Sequence, residues 1–136
     1  MLGRRTKTNS CRLRGALPDR RCTPGAIYTD VGQVQLCTPD YVAKIRNRPV
    51  VERKAVFRHY GVPLSQRSHY TIDRLVPFDL GGSTDIANLW PEHSASSLAK
   101  DRVERRLYDL VCSNQLGLRS AQRAIASNWS ALSKHV

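Results

Sequence analysis

Between Val103 and Val111 the apolar residues Val103, Leu107, Leu110 and Val111 fall three or four positions apart. That spacing gives a helix one buried face. Ser94 to Ser97 supply N-cap candidates before it, and the helix is expected to end near Cys112. Gly117 interrupts the pattern. Ser120 is then placed to cap a last helix that buries Ala121, Ile125, Trp129 and Leu132. Upstream the period changes to alternation. His69 to Leu80 reads as a strand, with Tyr70, Ile72 and Arg74 on one side and His69, Thr71 and Asp73 on the other. Gly81-Gly82 makes the turn, Ile86 to Trp90 is the return strand, and Pro91 closes it. Val31 to Cys37 is strand-like. Pro39-Asp40 opens a helix, capped by Asp40 and running to about Asn47. A second runs from Val50 to Tyr60, stopped by Gly61 at C′ and Pro63 beyond. Helices, one hairpin and more helices make a small α+β domain.

Charge adds a partner to this picture. The chain has 136 residues, enough for one domain, with 22 Lys and Arg against 11 acidic residues and a net charge of +11. Such an excess points to a polyanion, since phosphates bind Lys and Arg with release of counterions. Residues 1–21 carry Arg4, Arg5, Lys7, Arg12, Arg14, Arg20 and Arg21 against Asp19 alone, and read as a mobile basic arm that lies along phosphates. Residues 22–136 form the folded domain, entered through the Cys22-Thr-Pro-Gly25 turn. Lys54 and Arg58, with Lys44, Arg46, Arg48 and Arg53, extend the basic surface along the two following helices. The expected partner is nucleic acid, DNA ahead of RNA.

Other classes recede. No stretch of the chain approaches the ~18 apolar residues that span a bilayer, so no membrane role is expected. Cys11, Cys22, Cys37 and Cys112 form no CxxC pair, which removes zinc-knuckle chemistry. Pairing among them is open, with buried free thiols expected in a cytosolic chain. Met1-Leu-Gly-Arg-Arg-Thr-Lys has no apolar run behind it. The chain as given reads as cytoplasmic, or as exported if its start is truncated.

The run His69-Tyr-Thr-Ile-Asp73-Arg74-Leu-Val-Pro77, the Gly81-Gly82 turn, Asn88-Leu-Trp90 and Lys100-Asp101 with Glu104 carry a resemblance. In this order they resemble the ββα-metal core of HNH endonucleases, over about residues 22–130 of the chain. The resemblance implies hydrolysis of phosphodiesters with one divalent cation, Mg²⁺ or similar. Asp73 takes the metal-ligand place, and Asp101 is the second ligand, ahead of Ser97 and His93. Asn88 fixes the loop between the strands. Arg74 stands where the family has its water-activating histidine. A guanidinium stays protonated and cannot take a proton from water, though it can grip a phosphate. His93 is the substitute base to test. The expectation is therefore a nucleic-acid-binding HNH-like domain with weak or no cleavage. The alternative is an inactive one retained for binding nucleic acid or protein.

Overall fold

A computed structural model describes residues 2–46 and 52–135. Its elements are α1 (Gln33–Leu36), α2 (Tyr41–Arg46), α3 (Arg53–His59), β1 (Tyr70–Arg74), β2 (Leu89–His93), α4 (Ser97–Cys112) and α5 (Leu118–Leu132), joined by short 3-10 turns. The expected helix end at Asn47 and helix start at Val50 lie outside the described residues. Mixed helix and strand make this an α+β architecture. Among the described residues no helix is long and apolar enough to cross a membrane.

β1 and β2 pair antiparallel, with Tyr70 opposite His93, Ile72 opposite Pro91, Asp73 opposite Trp90 and Arg74 opposite Leu89. β2 runs on through Pro91 instead of ending there. A two-stranded ladder uses only half of each strand's N–H groups, so a proline is tolerated on such an edge. The return begins one turn later than its hydrophobicity suggests. Ile86–Asn88 is a 3-10 turn, started by Asp85, whose carboxylate accepts from the Ala87 N–H at 2.8 Å. β1 likewise stops at Arg74, and Phe78–Leu80 is a turn.

α4 and α5 pack on each other and close the main core. Leu75, Val76, Leu80, Trp90, Val103, Leu107, Val111, Ala121, Ile125 and Trp129 are all buried in it. The spacing of these residues on α4 and α5 is the helical period seen in the sequence. Gly117, not Ser120, precedes the first turn of α5; Ser120 lies within it. A smaller cluster of Val31, Leu36 and Ile45 sits beneath Tyr28 and Phe78.

Val31 to Cys37 holds the short helix Gln33–Leu36, not a strand. The Gln35 side chain accepts from the Gly32 N–H at 2.6 Å, closing the first turn, while Val34 is left exposed and Leu36 buried. A short apolar run has no period strong enough to separate the two readings. α3 ends as its glycine foretells. Gly61 takes φ +63°, its N–H donates to the Arg58 carbonyl, and the Val62 N–H donates to the Phe57 carbonyl. These two bonds form a Schellman motif.

The N-terminal segment departs most from expectation. Residues 2–21 are laid against the body. Cys11 is bonded to Cys22, the Leu2 N–H donates to the Gly25 carbonyl, and the Cys11 N–H donates to the His59 carbonyl. Asp19 is buried, and its carboxylate accepts from the Arg12 and Arg21 N–H groups and from Lys7. Burial alone would raise its pKa, but those donors outweigh it and hold it below the usual value. The free-thiol expectation is also corrected. All four cysteines are paired, Cys11 with Cys22 and Cys37 with Cys112. Which cysteines meet depends on the folded path, and sequence spacing does not contain it.

Candidate functional site

Alternation along the hairpin puts Thr71, Asp73, Trp90 and Glu92 on one face, and Tyr70, Ile72, Arg74, Leu89, Pro91 and His93 on the other. α4 covers the first face and contributes Lys100 to it. The Lys100 side chain is 1 % exposed, and its ammonium lies 2.9 Å from Asp73 Oδ2 and 2.5 Å from Glu104 Oε2. It donates also to the Arg74 carbonyl at 3.0 Å. Burial opposes the charge on Lys100, but Asp73 and Glu104 outweigh burial, so its pKa is raised and it stays an ammonium.

Glu92, across the ladder from Thr71, is buried on the same face. The Ser97 hydroxyl donates to its Oε1 at 3.2 Å, and among the described residues Oε2 has no hydrogen-bond partner. Burial, reinforced by the charge of Asp73 and opposed by Lys100, pushes the Glu92 pKa up to about 8.

Asn88 holds the loop between the strands with its full hydrogen-bonding capacity. It is completely buried. Nδ2 donates to the carbonyls of Val76 (3.0 Å) and Ser83 (2.9 Å), while Oδ1 accepts from the N–H groups of Val76 (3.0 Å) and Ala26 (3.3 Å). Gly82 completes the loop. A Cβ on it would sit 1.7 Å from the Val76 carbonyl oxygen.

Arg74, on the other side of the ladder's end, holds its guanidinium carbon 5.5 Å from the centre of the Phe78 ring, and Arg46 sits over the same ring at 4.7 Å. Burial lowers the Arg74 pKa; Tyr28 and Asp73 oppose that and Arg53 adds to it.

The remaining expected site residues are not gathered there. His93 is exposed, opposite Tyr70 at the far end of the ladder. It is three strand positions from Trp90, the partner of Asp73, or about 10 Å. Its Nδ1 accepts from the Ala95 N–H at 3.2 Å. Asp101 follows the inward-facing Lys100, so the turn of the helix carries it about 100° away. It is exposed and lines a surface pocket with Asp79, Glu104, Arg105, Tyr108 and Asp109. Among the described residues, no three His, Cys, Asp or Glu side chains are grouped to hold a metal ion. The cationic group beside Asp73 is the Lys100 ammonium.

The basic residues divide into two kinds. Arg4, Arg12, Arg14, Arg20, Arg21, Lys54 and Arg58 are exposed. Arg5 donates to the Cys22 carbonyl and to His59 Nδ1, and Lys7 pairs with Asp19 at 3.3 Å, so these two hold the N-terminal segment in place. Burial, then Arg5 and Arg58, lower the His59 pKa. Lys100 is not among the residues expected at the site. Yet Lys100, Val103, Leu107 and Val111 form one helical stripe, which marks the lysine as buried.

Compared with protein-family models, curated proteins and solved structures, the chain matches none of them.

Proposed function

We propose that this protein is a nucleic-acid-binding domain of the HNH-like ββα kind in which phosphodiester cleavage is weak or lost. The observation that carries the reading is the loop locked by Asn88. It joins a strand ending in Asp73-Arg74 to a return strand, and a helix follows that covers the same face. The net charge of +11 supports a polyanionic partner. Arg74 occupies the position where the resemblance calls for a proton acceptor, and arginine does not accept one. Losing a general base costs on the order of 10²–10⁴ in rate. Lys100 supplies positive charge beside Asp73, where a divalent ion would have to compete with it.

The test is nicking of supercoiled plasmid with Mg²⁺ or Mn²⁺ and with a chelator, beside a titration of the protein with duplex DNA across salt concentrations. Binding that weakens steeply with salt, with little or no nicking, is expected. Strong chelator-sensitive nicking would show that another base and a metal serve after all. Absence of binding at low salt would remove nucleic acid as the partner.

A further inference from the structure

We propose that Arg46 and Arg74, held on the Phe78 ring, are the phosphate-gripping surface for a nucleic-acid backbone. This rests on the nucleic-acid reading above and deepens it, because it moves the contact from the N-terminal segment to the end of the hairpin.

Three observations carry it. First, Arg46 at the end of α2 and Arg74 at the end of β1 come from distant parts of the chain onto one ring, at 4.7 and 5.5 Å from its centre. Their guanidinium carbons are therefore no farther apart than the sum of those distances. A guanidinium held over an aromatic face is steadied by the ring's quadrupole, and its N–H donors point from its edge. That is the geometry for phosphate oxygens. Second, two like charges are brought onto one ring, and Arg53 is near enough to lower the Arg74 pKa by repulsion. Gathering like charges costs energy unless an anion relieves it. Third, among the described residues neither Arg46 nor Arg53 forms an ion pair within the salt-bridge distance. Both Arg46 and Arg53 are exposed.

Part of the N-terminal basic charge is already engaged. Arg5 is spent on Cys22 and His59, Lys7 on Asp19, and Arg20 on the Ser127 carbonyl. The phosphates meant are those of a polymer, since a row of guanidiniums matches a row of charges.

The experiment measures anisotropy of a short labelled DNA duplex with the full chain over a salt series. It uses the wild type, Arg46→Ala, Arg74→Ala, their double variant, and Arg12→Ala/Arg14→Ala. Far-UV circular dichroism and melting establish that each variant is folded. The double variant should bind at least tenfold more weakly and lose about two from the logarithmic salt slope, since each phosphate contact contributes about one. Arg46→Lys should recover only part of the loss, because it keeps the charge but not the fork. Phe78→Leu keeps apolar bulk and removes the ring face, and should fall between wild type and double variant. Inorganic phosphate at matched ionic strength should leave the duplex bound; displacement by it would make free phosphate the ligand and overturn the proposal. A folded double variant with wild-type affinity and slope, beside a weakened Arg12→Ala/Arg14→Ala, would place the phosphates along the N-terminal segment. No binding by the wild type at low salt would overturn this proposal together with the reading beneath it.

Discussion

Single residues fix the shape of the hairpin. Asn88 was expected, from the resemblance, to fix the loop between the strands. The structure shows both its amide nitrogen and its oxygen in use. Asn88→Ala should leave two carbonyls and two N–H groups in the core without that partner. At roughly 1–3 kcal/mol for a buried group left unmade, partly offset by relaxation, a loss of about 3–5 kcal/mol in urea unfolding is expected. Glu92 predicts a pH effect. Its folded pKa of about 8 stands above the ordinary 4.5. The unfolded chain therefore sheds this proton at lower pH than the folded one. Its contribution is present in full below about pH 4.5 and is lost as pH rises through 8. Glu92→Gln should flatten that decline, and melting temperatures of both proteins from pH 4 to 9 would check it; parallel curves would mean the carboxyl is ionised in the fold. Glu92 was not legible as a site residue. Its role comes from burial beneath α4, which local sequence does not reveal.

At the scale of elements, the strongly periodic parts were the readable ones. α4 and α5 follow their apolar stripes, and α3 stops at Gly61. Val31 to Cys37 misleads because a few apolar residues fit either period. The stop of β1 at Arg74 is set by Asn88 drawing Val76 into its hydrogen bonds, a tertiary effect that overrides continued alternation. The loop also explains why the turn needs two glycines. Gly81 takes φ +81°, and Gly82 touches the backbone of Val76 where no Cβ fits. Gly82→Ala should force the loop away from Asn88 and cost more than about 3 kcal/mol, or prevent folding. Gly81→Ala is strained by its backbone alone and should cost about 1–2 kcal/mol. Denaturant midpoints for the pair give the comparison, and an equal effect would mean that the close approach at Gly82 relaxes.

The whole molecule is tied by its two disulfides, and these were open in the sequence because pairing is decided only once distant segments meet. Bonds of this kind persist in oxidising compartments. The two are not equivalent. Cys37–Cys112 spans 75 residues and Cys11–Cys22 spans 11. On loop-closure entropy the longer link should stabilise by about 1.7 kcal/mol more than the shorter. Pairwise replacement by alanine, followed by urea unfolding, measures that difference. A larger loss from the Cys11/Cys22 pair would mean that local packing outweighs chain entropy. The candidate site was legible only in part. The places of Asp73, Arg74 and Asn88 about the hairpin were legible, whereas the grouping of Arg46 with Arg74 on Phe78 depends on how distant segments meet.

The shorter disulfide has a consequence for proteolysis. Arg12, Arg14, Arg20 and Arg21 are exposed and lie between Cys11 and Cys22. A trypsin-like enzyme that cuts after any one of them severs the backbone inside a closed ring. The two pieces remain joined through sulfur, so the nicked chain migrates as one band until a thiol is added. Cuts inside this ring thus shed nothing, whereas a cut after Arg4, Arg5 or Lys7, which precede it, releases the residues before the cut.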